Sequence, residues 1–213
     1  MKTRSKALIL TLCAVLLVAA TIFGTMAYLT STDTVTNTFT VGKVNIKLDE
    51  AKANSDGTLV EGAERVKANS YKLLPGHTYN KDPMVTVLSG SESSYVKMTV
   101  TFSKANELDA IFAPDGANLT SIFSGYDAAN WIAKGNTKDA TANTRTYEFW
   151  YKEAVAAPTA DVALDALFDS ITVPGTITGA QLATIGGMTI TVNAYAIQAD
   201  GFADADAAWA AFH

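Results

Sequence analysis

Few side chains in this sequence have the chemistry of a catalytic or metal site. The chain contains two histidines, His77 and His213, and one cysteine, Cys13. Zinc peptidases place two histidines at helical spacing, and many serine hydrolases place their nucleophile in a G-x-S-x-G turn. Neither pattern occurs, and a Ser-His-Asp triad would have to use one of the two histidines. The sequence therefore predicts no catalytic residue, no metal-ligand set and no cofactor.

Two groups of carboxylates are the other candidates for binding a cation. Neither group follows the alternating acidic spacing of an EF-hand loop, so helix caps and solvated surface explain them more simply. A calcium site on the surface stays open as an alternative. The groups are Asp161, Asp165 and Asp169, and Asp200, Asp204 and Asp206.

The overall composition excludes several classes of protein. Of the 213 residues, 48% are apolar and 17% are charged, which is unlike a disordered chain. There are 16 Lys and Arg against 21 Asp and Glu, a net charge of −5, so no nucleic-acid partner is expected. A single cysteine also excludes a disulfide scaffold.

Residues 1–27 have the three parts of a secretory signal peptide. Lys2, Arg4 and Lys6 form a positive start, and residues 7–23 are uncharged and mostly apolar. Thr25 and Ala27 are small residues at the positions that a signal peptidase reads, which predicts cleavage before Tyr28. An uncleaved membrane anchor is the alternative, because about 20 apolar residues span a bilayer. Contact with a membrane is expected only through this segment.

Cleavage would change the charge and the redox chemistry of the chain. Removing 27 of the 213 residues leaves 186, and losing three positive charges takes the net charge from −5 to −8. Cys13 is removed as well, so the exported protein is expected to contain no cysteine.

The segment that follows, residues 28–42, has the alternation of a β-strand. Every even position from 30 to 40 is threonine, and β-branched residues at a period of two share one face of a strand. The other face becomes apolar toward its end. Its apolar members are Leu29, Val35, Phe39 and Val41.

The alternation changes phase at Gly42. Val44, Ile46 and Leu48 are apolar at even positions, so a strand continued in register would turn one apolar set toward water. Gly42 is therefore interpreted as a hinge between two strands with different partners. One long bulged strand within a single sheet is an equal alternative. A threonine array for binding ice is a weaker third interpretation.

The rest of the chain, residues 43–213, is predicted to be one all-β domain. Short alternating segments and the lack of βαβ spacing favour an antiparallel β-sandwich with a few short helices in its loops. Residues 50–72 are expected to form a polar loop, and 113–144 a surface excursion with a helix after Asp127, around Trp131. Strands are expected at 83–88, 95–102, 146–152, 167–173 and 188–196, and helices at 103–112 with Ser103 as cap, at 179–185, and after Asp204.

Several motifs resemble the SipW-dependent exported proteins of the TasA and camelysin (CalY) family of Gram-positive bacteria. The start is similar in GTMAYLTSTD at 24–33 and NTFTVGKV at 37–44. An interior block is similar in LPG at 74–76, KDP at 81–83 and YVK at 95–97. The closing VNAYAIQADGF at 192–202 resembles clostridial members, whereas residues 104–165 have no such likeness.

The resemblance implies a jelly-roll-like sandwich, secreted to the cell surface or the extracellular matrix, that assembles into biofilm matrix fibres. It implies that residues 28–42, freed by cleavage, insert as a donor strand into the next subunit. Leu29, Val35, Phe39 and Val41 would then face the neighbour's core and Gly42 would be the hinge. The implied partners are other copies of the chain, a SipW-type signal peptidase and other matrix components.

Two other functions stay open at this stage. The camelysin branch implies a surface metallopeptidase, although the sequence has no zinc motif. A monomeric surface adhesin or binding module is the other alternative.

Overall fold

The computed structural model describes residues 3–26, 42–112 and 123–212. The chain divides into two units, residues 1–41 and 42–213. In the first unit a helix, α1, runs over Thr3–Met26. No helix in the described ranges is long and apolar enough to cross a membrane. Ala27, Tyr28 and the predicted donor residues Leu29, Val35, Phe39 and Val41 lie outside the described residues.

The second unit is mostly β, with antiparallel sheets and a few short helices, which confirms the all-β prediction. Short alternating segments give short strands, and every strand pair is antiparallel. The strands are β1 (Ile46–Asp49), β2 (Thr78–Asn80), β3 (Met84–Val87), β4 (Ser94–Ser103), β5 (Trp131–Asp139), β6 (Thr144–Tyr151), β7 (Val162–Ala163), β8 (Ser170–Thr172) and β9 (Ile190–Gln198). The helices are α2 (Ala105–Phe112), α3 (Gly179–Ile185) and α4 (Ala205–Ala210).

The largest sheet has the order β5-β6-β4-β9. Its central strand β4 alternates strictly between buried and half-buried residues, as its sequence predicts. Its buried apolar members are at most 4% exposed, and they belong with Tyr147 and Phe149 of β6 to the main hydrophobic core. They are Val96, Met98, Val100 and Phe102.

Two smaller sheets complete the unit. The order β1-β3-β7 brings the fully buried Val85 and Val87 into the same hydrophobic cluster as β4 and β6. The pair β2-β8 belongs to a second cluster, built on Tyr79, Val173 and Ile185. Thr178 caps the N-terminus of α3. Asp204 caps the N-terminus of α4, as the sequence predicts.

The helix predicted around Trp131 is wrong. Asp127 caps a turn instead, with its Oδ1 accepting from the backbone N–H of Ala129 at 3.0 Å, and Trp131 begins β5. Residues 131–139 are therefore a paired strand within the stretch predicted as a surface excursion. The sequence hides this strand because eight of its nine residues are exposed, so no apolar face is required, and the register shifts between Ala133 and Gly135.

Two other local predictions are corrected by the structure. Ser103 ends β4, and the N-terminus of α2 is capped from a distant turn, where Asn143 accepts at its carbonyl from Ala105 N at 3.0 Å. Asn143 Oδ1 also accepts from Asn106 N at 2.8 Å. The strand expected at 167–173 is only Ser170–Thr172, because Leu167 enters the core as part of an irregular segment.

Candidate functional site

The free side of β9 is the main unpaired edge in the large sheet. Ser103 N donates to Thr189 O at 3.0 Å, and Ala199 N donates to Ser93 O at 2.7 Å, so the odd residues of this segment bond to β4. Backbone groups alternate in direction along an antiparallel strand. The N–H and C=O groups of the even residues therefore point away from β4, and no described strand pairs with them. The apolar residues among them are Ile190, Val192, Ala194 and Ala196.

The side chains on this edge are apolar but incompletely covered. The same even residues, preceded by Met188, pack against the main core, yet each is only partly buried. The strand contains no charged residue along its nine positions. An uncharged, unpaired strand with an apolar face is a template for pairing with another chain.

The opposite edge of the sheet, β5, has the features that prevent such pairing. Lys134 and Lys138 are on this strand, and the register shift at Gly135 breaks its regularity. Charged side chains and bulges on an edge strand oppose the addition of a further strand. The two edges of one sheet therefore differ, and β9 lacks both of the features that oppose strand addition.

A groove of about 450 Å³ adjoins β9 and extends to β1, one of the two edge strands of the three-stranded sheet. Leu48 of β1 and Ile190 and Val192 of β9 supply its apolar wall. Ile46 and Leu48 are only partly buried, so both β1 and β9 leave part of the apolar core uncovered. The groove is where an added strand could cover apolar surface of both sheets.

Ion pairs fix the chain at the end of β1, on the rim of this groove. Arg65 Nε lies 2.6 Å from Asp49 Oδ1, and Arg65 Nη1 lies 2.8 Å from Asp82 Oδ2. Burial acts to raise the pKa of Asp49, but the hydrogen bonds from Lys47 and Arg65 outweigh it and hold that pKa below its usual value. Lys81 Nζ and Glu50 Oε2, 2.5 Å apart, form a second pair whose side chains are 9% and 8% exposed.

The sequence does not predict these ion pairs. Residues 50–72 form a loop with few backbone bridges, as predicted, but its charged residues are not all solvated. Arg65 also donates from Nη2 to the carbonyls of Asp49 and Asp82, at 3.2 and 2.8 Å. Arg65 therefore joins this loop to β1 and to Asp82, a set of contacts that the sequence alone could not predict.

Gly42 is the first residue of the second unit and precedes β1 by a short irregular stretch. Lys43 O accepts from Glu92 N at 2.9 Å, and Asn45 O accepts from Leu88 N at 2.9 Å. A Cβ at Gly42 would lie 2.8 Å from Glu92 Cγ, so a larger residue would force that side chain aside. The chain is thus tied to the domain from Lys43 onward.

The candidate chemical residues do not converge. His77 is exposed in a turn, with its ring centroid 6.3 Å from that of Tyr79. Asp204 caps α4, and Asp206 pairs with Lys134 at 3.1 Å. Within residues 42–112 and 123–212, no three His, Cys, Asp or Glu side chains lie close enough to hold a metal ion.

The fold defines an antiparallel all-β protein in which β9, among the described strands, is an uncharged edge of the largest sheet. No protein-family model matches the chain, and no curated protein or solved structure is significantly similar to it.

Proposed function

We propose that this chain is a secreted structural subunit of extracellular fibres, of the kind found in the biofilm matrix of Gram-positive bacteria. Residues 28–42 of one copy would pair with the free edge of β9 in the next copy. The observation that carries the proposal is β9 itself, nine uncharged residues with an unpaired side and a half-buried apolar row. An added strand satisfies the backbone groups of such an edge and covers its apolar face.

The sequence of the donor segment matches this acceptor. Its apolar residues Leu29, Val35, Phe39 and Val41 all lie at odd positions and so on one face of a strand. Fourteen residues from 28 to 41 would extend about 46 Å at about 3.3 Å each, longer than the nine residues of β9. The threonine face would then be directed away from the core.

The contact would produce a filament because its two surfaces are different. A segment that leaves one subunit and joins the opposite surface of the next forms a head-to-tail contact, and such contacts propagate unless they close into a ring. Gly42 would serve as the hinge, and the division of the chain between residues 41 and 42 supports a separate role for the preceding segment.

Export is the other part of the proposal. Residues 1–27 would be the signal peptide, removed before Tyr28 by a SipW-type peptidase, and the helix α1 over Thr3–Met26 is compatible with that role. The sheets would form a jelly-roll-like sandwich, which the common core of Val85, Val87 and β4 supports. Other matrix components are further candidate partners.

A truncation experiment tests this function. The chain beginning at Tyr28 is expected to form filaments in negative-stain electron microscopy, and the chain beginning at Lys43 is expected to stay monomeric. The shorter chain is a fair control because it retains the hydrogen bond from Glu92 N to Lys43 O. Filaments of equal abundance from both chains, or from neither, would contradict the proposal.

A further inference from the structure

A second cavity, of about 420 Å³, lies between the two hydrophobic clusters of the domain. Most of its wall is apolar and is supplied by several elements, including α2, α3 and β8. Leu108 and Met188 each pack against both clusters and also line the cavity. Pockets of this size and character are where proteins bind small apolar molecules.

Arg145, on β6, supplies a buried cation to this wall. Its side chain is 10% exposed, and two of its nitrogens are held in place. Nη1 donates to Asn136 Oδ1 at 2.6 Å, and Nη2 donates to Asp109 Oδ2 at 2.7 Å. The third nitrogen, Nε, is buried and has no acceptor among the described residues.

An unsatisfied donor on a buried guanidinium is unusual in folded proteins. Leaving such a group without an acceptor costs free energy, more so when the group is charged. Because the other nitrogens are already bonded, Nε is fixed in position. Arg145 is therefore a fixed cation in the cavity wall whose hydrogen-bonding capacity is not fully used.

The charges around Arg145 favour an anion in that position. Asp109 Oδ2 also accepts from Lys138 Nζ at 2.8 Å, so two cations share one carboxylate. Burial acts to raise the pKa of Asp109, but the hydrogen bonds from Lys138 and Arg145 outweigh it and hold that pKa below its usual value. Asp109 is therefore ionised at neutral pH, and this group of three has one excess positive charge.

We propose that this cavity binds an amphipathic carboxylate, such as a medium-chain fatty acid. The carboxylate pairs with the Arg145 guanidinium in the cavity wall, and the hydrocarbon chain lies among Leu108, Ile185 and Met188. Binding transfers no group and forms no covalent bond. Arg145 and these three apolar residues lie outside β9, although Ile190 of that strand also lines the cavity.

Methyl NMR on the full chain gives a readout specific to this cavity. Met188 is the only one of the chain's five methionines in the described wall of the cavity, and the fully buried Met98 serves as an internal reference. With ¹³C-methyl methionine, decanoate below its micelle concentration is expected to shift the Met188 signal saturably and to leave Met98 unchanged. Octanoate should bind about 15-fold more weakly, since each methylene is worth about fourfold. Decyltrimethylammonium should not shift Met188.

Two variants separate the polar contact from the apolar one. Arg145→Met leaves Asp109 paired with Lys138. It should weaken decanoate binding at least tenfold and leave unchanged the binding of a second probe, the uncharged alcohol decanol. Leu108→Trp adds bulk at the cavity wall while keeping the Arg145 side chain, and it should abolish binding of both probes. If Arg145→Met does not fold, the result with Leu108→Trp decides alone. The proposal is overturned if decanoate leaves Met188 unshifted, if the cationic amphiphile binds equally well, or if Leu108→Trp retains full binding.

Discussion

Ser103 donates its backbone N–H to the carbonyl of Thr189 at 3.0 Å, directly before β9. Since backbone groups alternate along a strand, this bond fixes the direction of every N–H and C=O in β9. Odd residues bond to β4 and even residues face the open edge. On the other side of β4, Ser94 exchanges two bonds with Val155, at 2.9 and 2.8 Å, which agrees with the same alternation.

Replacing Ala194 by proline should block assembly without unfolding the protein. The N–H of residue 194 points to the open edge, so its loss removes no bond to β4, and proline is tolerated on an edge strand in that orientation. Filaments should be absent under electron microscopy, and the thermal unfolding midpoint should change little.

Asn193→Pro is the matched control for that variant. Residue 193 pairs with Thr99 of β4, so proline there removes a bond within the sheet and should cost about 1–3 kcal/mol of stability. Equal destabilisation by both variants would show that the assigned direction of the backbone groups is wrong.

Asp49→Asn should make the protein less stable at neutral pH but leave it almost unchanged in acid. The pKa of Asp49 is lowered in the folded state, so the unfolded state binds its proton more readily. Its stabilisation is therefore complete above the unfolded pKa of about 4 and is lost as the pH falls through the lower folded pKa.

Urea unfolding between pH 2 and pH 7 measures this effect. We expect a loss of about 1–3 kcal/mol at pH 7, shrinking toward zero at the acid end. Glu61→Gln, at an exposed carboxyl in the loop of residues 50–72 that follows β1, is the control. A loss that stayed constant over the whole range would mean that the ionisation of Asp49 does not stabilise the loop.

Gly57→Ala should be strongly destabilising, because both the backbone conformation and the space around it exclude a side chain. Gly57 has φ +91°, and a Cβ there would lie 2.6 Å from Tyr79 Cα and 2.7 Å from Thr78 O. Strain and overpacking together should cost about 2 kcal/mol or more in chemical denaturation.

Gly62→Ala separates the two causes. Gly62 has φ +70° with no atom within 4 Å of its built Cβ, so only the conformational cost of about 1–2 kcal/mol applies. The clash account fails if the two alanine variants are equally stable.

The sequence predicts those parts of the fold in which one strand buries one face. In β4, Val96, Met98 and Val100 alternate with polar residues because the strand has the core on only one side. The ends of α4 are equally local, since Asp204 Oδ1 accepts from Ala207 N three residues on.

The parts that could not be predicted depend on contacts distant in sequence. Strand β5 is exposed apart from Trp131, so nothing in its own pattern requires a strand, and its existence depends on pairing with β6. Asn143 caps α2, because its Oδ1 accepts from the backbone N–H of Asn106, which lies 37 residues earlier in the chain.

The sequence predicts only part of the candidate site, because the rest also depends on contacts between residues distant in sequence. The apolar row of β9 is evident in the sequence, as is the alternation of residues 28–41. Which strand has an unpaired edge is a property of the strand order, and the contrast with the charged edge of β5 exists only once both strands are placed in one sheet.

Disulfide cross-linking tests the central claim, that the N-terminal segment of one copy pairs with β9 of another. The chain from Tyr28 lacks Cys13 and so has no cysteine of its own. One chain carries Thr34→Cys, Thr36→Cys or Thr38→Cys, and the other carries Asn193→Cys on the exposed face of β9 or, as control, Thr137→Cys on β5. Only residues whose Cβ atoms come within about 4.5 Å can be bridged.

After mixing and mild oxidation, we expect a covalent dimer between Asn193→Cys and at least one of the three threonine positions, and none with Thr137→Cys. Dimers that form with Thr137→Cys and not with Asn193→Cys would contradict the account, as would the absence of any cross-link in filaments.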